Sequence, residues 1–179
     1  MTIQASDMFH IDGIEYNLVD VENGRHLIHY GAFVIENKED FYVCNTGCRK
    51  RYYAEYYLEN NRLLGTMVSS HGTKTFKTPI NYTGSCVVAG GKGIWFADVL
   101  SDYLFYEDAY ELYFVEGQLI EKNSLRTAIE EYQEIKHSLM DERGTITLEG
   151  MRQVRKIARK HLKYSYEISS YKWGYKPEK

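Results

Sequence analysis

YAEYYLENNRLL at residues 53–64 and YELYFVEGQLI at residues 110–120 repeat one pattern. Each has an aromatic-rich run, a polar turn containing Glu, and a second run that begins with an apolar residue or pair. Leu63-Leu64 matches Leu119-Ile120 after a one-residue slip in the turn. Aromatic and aliphatic residues around a short polar turn favour an antiparallel hairpin. Two hairpins are therefore predicted, with Tyr56 and Leu58 on one face of their strand and Tyr57 on the other.

Turn signals outside the repeats divide the rest of the first two thirds into short strands. Asp12-Gly13 and Asn23-Gly24 are dipeptides that tolerate the positive φ of type I′ turns. The predicted strands are Met8 to Ile11, Ile14 to Val21, Arg25 to Glu36, Phe41 to Cys44, Thr73 to Lys77, Ser85 to Ala89 and Ile94 to Val99. With the hairpins they predict an antiparallel, twisted or partly closed β-meander of about nine or ten strands.

The last third changes to a helical period. Leu125, Ile129, Tyr132, Ile135 and Leu139 recur at helical spacing after Ser124, which can cap the first turn. Arg143-Gly144 breaks this helix, and Thr147 starts a second one with the apolar residues Met151, Val154, Ile157, Ala158 and Leu162. The predicted fold class is therefore α+β, with two C-terminal helices that pair or cover one face of the sheet.

These elements predict one domain over residues 1–179. It comprises a meander at 1–122, a helix pair at 123–163 and an aromatic tail at 164–179 that docks on the body, with a last strand from Tyr164 to Ser169. A chain of 179 residues, 44% hydrophobic and 15% aromatic, can bury a substantial core. Disorder of the whole chain is thereby excluded.

The number of cysteines and the lack of a long apolar segment indicate a cytoplasmic location. No segment approaches the roughly 20 apolar residues of a membrane span, and no secretory leader pattern begins the chain. Three cysteines, Cys44, Cys48 and Cys86, leave at least one thiol unpaired. That count fits a reducing compartment better than a disulfide framework.

Charge is distributed unevenly along the chain. Residues 1–149 hold 13 Lys and Arg against 23 Asp and Glu, whereas residues 150–179 hold 9 against 2. An acidic body can bind a basic partner, and a basic tail an anionic one. Internal charge complementarity explains the same distribution equally well.

Motifs for metal, cofactor or phosphate chemistry are weak. Cys44 and Cys48 are separated by three residues and have no second matching pair, so the zinc pattern is incomplete and no metal or cofactor is expected. Arg49 to Arg51 could activate a nearby thiol, but buried structural cysteines are the favoured interpretation. The segment from Gly90 to Gly93 precedes a strand-like run, so it favours a hairpin loop over a phosphate cradle. No catalytic residue is assigned.

Carboxylates alternate with aromatic residues between residues 98 and 111. Tyrosine provides a large contact area at low entropic cost, and carboxylates steer a basic partner. The predicted partner-binding residues are Asp98, Asp102, Tyr103, Tyr106, Glu107, Asp108 and Glu111. Two alternatives stay open: a carboxylate pair of hydrolytic type, and buried aromatics with solvated acids at a sheet edge.

The second helix presents a basic face. Arg152, Arg155, Lys156, Arg159 and Lys163 recur at spacings of three and four and could contact phosphates. The acidic remainder of the chain opposes such contacts, so nucleic-acid binding is ranked below a solvated helix face.

In general profile the chain, small, acidic and rich in tyrosine, resembles the antidote or immunity proteins that bacteria use to neutralise toxins. The resemblance rests on class and carries no residue across. It implies a cytoplasmic protein-binding module that inhibits a basic toxin or nuclease. The alternatives are a small-molecule-binding or hydrolytic enzyme with a carboxylate and histidine cleft, and nucleic-acid binding through the second helix.

Overall fold

The computed structural model describes residues 7–22, 27, 53–68, 72, 74–91 and 102–164. The strands are β1 (Met8–Ile11), β2 (Ile14–Val21), β3 (Tyr53–Glu59), β4 (Arg62–Val68), β5 (Thr78–Pro79), β6 (Gly84–Gly90), β7 (Asp108–Val115) and β8 (Gln118–Ser124). The helices are α1 (Arg126–Ile135) and α2 (Leu148–His161), with 3₁₀ helices at Asp102–Phe105 and Lys136–Leu139. The predicted α+β class is confirmed.

Seven of the strands close into a barrel. Their order is β3-β1-β2-β6-β7-β8-β4, and β3 also pairs with β4, while β5 lies outside the ring on β4. Strand pairing within the ring is shortest between β4 and β8, where Arg62 opposite Gln118 is the one registered residue pair. The prediction of a twisted or partly closed sheet is therefore confirmed in outline, and the details differ.

Three strand pairs depart from the predicted meander, since β1–β3, β2–β6 and β4–β8 join strands that are not neighbours in the sequence, and β1–β3 is also parallel. β1 runs parallel to β3, with Phe9 opposite Tyr56 and Ile11 opposite Leu58. A parallel pair needs a long connection, and more than 30 residues separate β2 from β3 in the sequence. The turn signals marked where strands begin and end, but they carried no information about this long-range pairing.

The two repeated hairpins are confirmed as β3–β4 and β7–β8. Their turns have positive φ at Asn60, Asn61, Glu116 and Gly117, as type I′ turns require. The two turns also meet: the Leu63 amide donates to the Gly117 carbonyl, and the Leu119 amide donates to the Asn61 carbonyl, each at 2.8 Å. The repeated sequences therefore form the two halves of one junction.

The side chains of β3 alternate as predicted. Tyr56 is fully buried and Leu58 packs against the same interior cluster. Tyr57 lies on the other face, where its ring stacks on His10 at 4.5 Å between centroids.

The remaining strand predictions have mixed outcomes. Those at β1, β2 and β6 are confirmed. The predicted strand from Thr73 to Lys77 is wrong over its described residues, 74–77, because Lys74 makes only an isolated bridge to Val68. The predicted strands at Phe41 to Cys44 and Ile94 to Val99 lie outside the described residues, as do all of Arg25 to Glu36 except Leu27, and all of Tyr164 to Ser169 except Tyr164.

Two hydrophobic cores share β6, which is buried along its whole length. The inner core fills the barrel and includes Phe9, Tyr56, Cys86 and Phe114. The outer core lies between the barrel wall and the helices, where Val87 and Ala89 of β6 meet residues of both helices. The helices therefore cover one face of the barrel, which confirms one of the two predicted arrangements.

Both helices are fixed by their apolar faces, and α2 also by a local cap. The predicted cap of α1 is corrected: Ser124 is the last residue of β8, its hydroxyl accepts only a long 3.4 Å bond from the Arg126 amide, and the N-cap position is held by Leu125 without a side-chain cap. Ala128, Ile129 and Tyr132 of α1 and Val154, Ile157 and Ala158 of α2 are buried. The Thr147 hydroxyl accepts a hydrogen bond of 2.9 Å from the Gly150 amide and caps α2. In the part of the chain that the structure describes, neither helix is long or apolar enough to cross a bilayer.

Candidate functional site

The fold divides the predicted partner surface between the exterior and the outer core. Glu107 is exposed and Asp108 is half-buried at the start of β7. Tyr103, Tyr106 and Glu111, in contrast, keep only 1%, 7% and 1% of their surface exposed. Their placement on an exposed partner surface is therefore corrected, since side chains this deeply buried hold the chain's own elements together.

Tyr103 and Tyr106 pack beneath the helices. The Tyr103 hydroxyl donates a hydrogen bond of 2.8 Å to the carbonyl of Ala158 in α2, and burial raises the pKa of Tyr103. Tyr106 belongs to the same outer core. Asp98 lies outside the described residues, and only the backbone of Asp102, in the first 3₁₀ helix, is described.

Glu111 holds the chain that leaves α2. Its carboxylate accepts hydrogen bonds from the backbone amides of Lys163 at 2.7 Å and Tyr164 at 2.8 Å, and from the Asn123 side chain at 3.3 Å. The Tyr164 ring stacks on Tyr113 of β7 at 4.3 Å between centroids. Glu111 is therefore a structural anchor.

Three exposed carboxylates and the half-buried Asp108 gather at one end of the barrel and form what we call the acidic rim: Asp12, Glu15, Glu107 and Asp108. The strand register brings them together, because Asn17 of β2 lies opposite Ala89 of β6, which lies opposite Ala109 of β7. Asp12 and Glu15 therefore reach the barrel end where β7 begins. Sequence reasoning missed these two residues, since only the β2–β6–β7 pairing reveals their proximity to Glu107.

Two tyrosines, the buried Tyr16 and the half-buried Tyr110, join the rim to the inner core. The rings of Tyr16 and Tyr110 meet edge to face, with centroids 5.8 Å apart. A hydrogen bond to Asp108, with burial, raises the pKa of Tyr110 to about 12. Burial, then the charges of Asp108 and Asp12, raises the pKa of Tyr16. The Lys122 ammonium lies 4.1 Å from the Tyr110 ring centroid, so the aromatic face is already in contact with a cation.

The glycines at the end of β6 serve packing. A Cβ on Gly90 would approach the Tyr16 ring to 2.9 Å, and one on Gly91, where φ is +86°, would approach the Glu107 carboxylate to 2.6 Å. A carboxylate against Gly91 also repels phosphate. Gly90 and Gly91 therefore serve close packing against Tyr16 and Glu107, and the rest of the predicted glycine loop, residues 92 and 93, lies outside the described residues.

A second polar cluster lies on the outer face where β1 meets β3. Glu55 accepts hydrogen bonds from Tyr57 and, at 2.7 Å, from Lys74, and it lies 3.4 Å from the His10 ring. Partial burial alone would raise the pKa of Glu55, but the bonds from Lys74 and Tyr57 outweigh burial and lower it. A carboxylate held by several donors is a weak base. This cluster therefore joins strands and does not favour the hydrolytic alternative.

The described cysteine is a packing residue, and the described cleft is open and small. Cys86 is fully buried, and burial raises the pKa of its thiol, so it packs as a small apolar residue. Cys44 and Cys48 lie outside the described residues, and among those described no three His, Cys, Asp or Glu side chains group as metal ligands. An open cleft of about 290 Å³ is lined by Arg62, Leu63, Pro79, Ile80, Asn81, Glu116 and Gly117.

The basic face of α2 points to solvent. Arg152, Arg155, Lys156 and Arg159 are exposed, opposite the buried Val154, Ile157 and Ala158. Arg152 pairs with Glu149 in the same helix at 3.2 Å. At the end of the helix, Lys160 pairs with Glu131 at 3.0 Å, and Lys163 pairs with Glu121 at 2.7 Å.

Comparison of the chain with protein-family models, curated proteins and solved structures found no match.

Proposed function

We propose that the chain is a protein-binding module that recognises a basic partner protein through the acidic rim. One observation carries the proposal. Asp12, Glu107 and Asp108 lie at one barrel end, and within the described residues no Lys or Arg forms an ion pair with them. Six carboxylates elsewhere are paired in this way, and the exposed Glu116, Glu134 and Glu142, which are also not paired in this way, lie on separate elements. The paired carboxylates are Glu55, Glu59, Glu121, Glu130, Glu131 and Glu149.

Electrostatics gives the rim its preference for a cationic partner. Carboxylates of like charge at one end of the barrel repel each other, and an approaching cationic surface relieves that repulsion. A patch of one charge raises the rate at which an oppositely charged protein is encountered. The rim is therefore suited to steering a basic partner into position.

The rim also offers apolar surface for the contact that follows encounter. Ile14, two residues from Asp12, has 56% of its surface exposed, which is high for an aliphatic side chain. Tyr110 is half-buried beside Asp108, and the Lys122 ammonium lies over its ring. Apolar groups within a charged border resemble the composition of protein interfaces.

The basic partner in this proposal is a toxin or nuclease, and the chain acts as its cytoplasmic inhibitor. A nuclease must present cations to bind its phosphate substrate. An acidic surface that covers those cations blocks the substrate and binds by the same charges. This logic supports an immunity- or antitoxin-type role.

Capture from an extract of the source cells tests the proposal. The bait is the wild-type chain, a rim variant carrying Asp12→Asn, Glu107→Gln and Asp108→Asn, or a control variant. Asn tolerates the positive φ of 52° at Asp12, so the fold is retained. The control carries Glu116→Gln, Glu134→Gln and Glu142→Gln, which remove the same charge from exposed positions off the rim.

At least one basic protein is expected to bind the wild-type chain and the control variant but not the rim variant. Mass spectrometry identifies the retained proteins, and circular dichroism checks that the three baits are equally folded. If the control and the rim variant lose the same proteins, the contact depends on overall charge and the rim has no special role.

A further inference from the structure

The exposed face of α2 is strongly cationic and has no part in the proposed contact with a basic protein. Over Leu148–His161 the helix carries five Lys and Arg residues and one carboxylate, Glu149. Three of the cations, Arg152, Lys156 and Arg159, follow each other at spacings of four and three residues. They therefore form a single stripe along one side of the helix. We call this the basic stripe.

The stripe is rigidly held and accessible. Val154, Ile157 and Ala158 anchor the opposite side of the helix in the outer core, and Thr147 caps its first turn. The side chain of Arg152 is 78% exposed, and its bond to Glu149 is a surface ion pair of little energetic weight. In the described part of the chain, Lys156 and Arg159 form no ion pair with a carboxylate. The stripe can therefore exchange its present contacts for those of a ligand.

Its chemistry fits phosphate better than protein. Protein interfaces are centred on aromatic or aliphatic anchors, but the exposed residues from Arg152 to Lys160 are all charged or polar. Arginine, which binds phosphate oxygens through a planar fork, supplies two of the three stripe positions. A rise of about 1.5 Å per residue spreads the stripe over about 10 Å, enough to meet separate phosphates of one backbone.

We propose that the basic stripe of α2 binds the phosphate backbone of nucleic acid without reading its sequence. Each of the three cations neutralises one phosphate and releases its counterion. The logarithm of affinity then falls with the logarithm of salt concentration with a slope of about −2.7. Binding is weak, with a dissociation constant on the order of 10⁻⁵ M at 50 mM salt, because the chain as a whole is acidic.

Fluorescence anisotropy with a labelled 20-base-pair DNA duplex tests the proposal on the full chain. From 50 to 200 mM salt, the slope predicts that wild-type affinity falls about 40-fold. A stripe variant with Arg152→Gln, Lys156→Gln and Arg159→Gln is expected to lose at least about tenfold in affinity at 50 mM salt and most of the salt slope. A second duplex of different sequence is expected to bind equally.

The matched control removes three cations from the same region but off the stripe: Arg126→Gln, Lys136→Gln and Arg143→Gln. It is expected to bind within about twofold of the wild-type chain. Circular dichroism confirms that α2 is intact in both variants. Absence of duplex binding at 50 mM salt overturns the proposal, and so does equal weakening by the control. Tight binding of a labelled poly-glutamate peptide with no binding of the duplex also overturns it and indicates an acidic protein ligand.

Discussion

Replacing Glu111 with alanine tests how the barrel holds the end of α2. The carboxylate is 1% exposed and accepts two backbone hydrogen bonds, from Lys163 and Tyr164, within 2.8 Å. Hydrogen bonds to a charged group contribute roughly 1.5–3 kcal/mol each, so loss of both predicts a decrease of about 3–6 kcal/mol in unfolding free energy. Because Tyr164 is half-buried, water can replace the lost hydrogen bond to its amide in the variant. The expected decrease in unfolding free energy is therefore nearer to about 3 kcal/mol.

Urea unfolding followed by tryptophan fluorescence and circular dichroism measures this loss. Amide hydrogen exchange at Lys163 and Tyr164 reports the site directly, and both amides are expected to exchange faster in the variant. Glu121→Ala is the matched control, because Glu121 contacts the side chains of the same two residues and not their amides. It is expected to have a much smaller effect. A loss below about 1 kcal/mol for Glu111→Ala, with unchanged amide exchange, would refute the anchoring role.

Three further predictions concern the fold. Gly117→Ala is expected to lower the free energy of unfolding by several kcal/mol, because a Cβ there meets the Ile80 carbonyl and φ is +77°. Thermal unfolding measures this loss, and an unchanged melting temperature would contradict the close packing at the hairpin junction. Thr147→Ala removes the cap on the Gly150 amide and is expected to cost about 1 kcal/mol in urea unfolding; a stable variant means that α2 needs no cap. The pKa of Glu55 is lowered in the folded chain, so the Glu55 carboxylate stabilises the fold above its unfolded pKa of 4.5, and this stabilisation is lost as the pH falls through the folded pKa. Glu55→Gln should therefore flatten the pH dependence of the unfolding free energy below about pH 5. An unaltered profile excludes this linkage.

Local structure was predictable from sequence because its causes are local. Asn60-Asn61 and Glu116-Gly117 form the positive-φ turns of the two hairpins, and the faces of Tyr56 and Tyr57 follow from strand alternation. The period of the buried residues located both helices.

Pairing between distant strands was not predictable in the same way. Nothing in Met8 to Ile11 indicates that it pairs in parallel with β3, because that choice depends on how the whole ring closes. The same limitation affected the predicted partner surface. The alternation of acids and aromatics between residues 98 and 111 could not show that Tyr103 and Glu111 face the helices while Glu107 faces solvent.

The central claim is that the acidic rim steers a basic partner, and the association rate of a captured partner tests it most directly. Stopped-flow mixing of that partner with the wild-type chain and the rim variant, from about 20 to 300 mM salt, separates steering from contact energy. The account predicts an association rate at least about tenfold lower for the rim variant at low salt, a flatter salt dependence and a nearly unchanged dissociation rate. Equal association rates and equal salt dependence for the two proteins would contradict it.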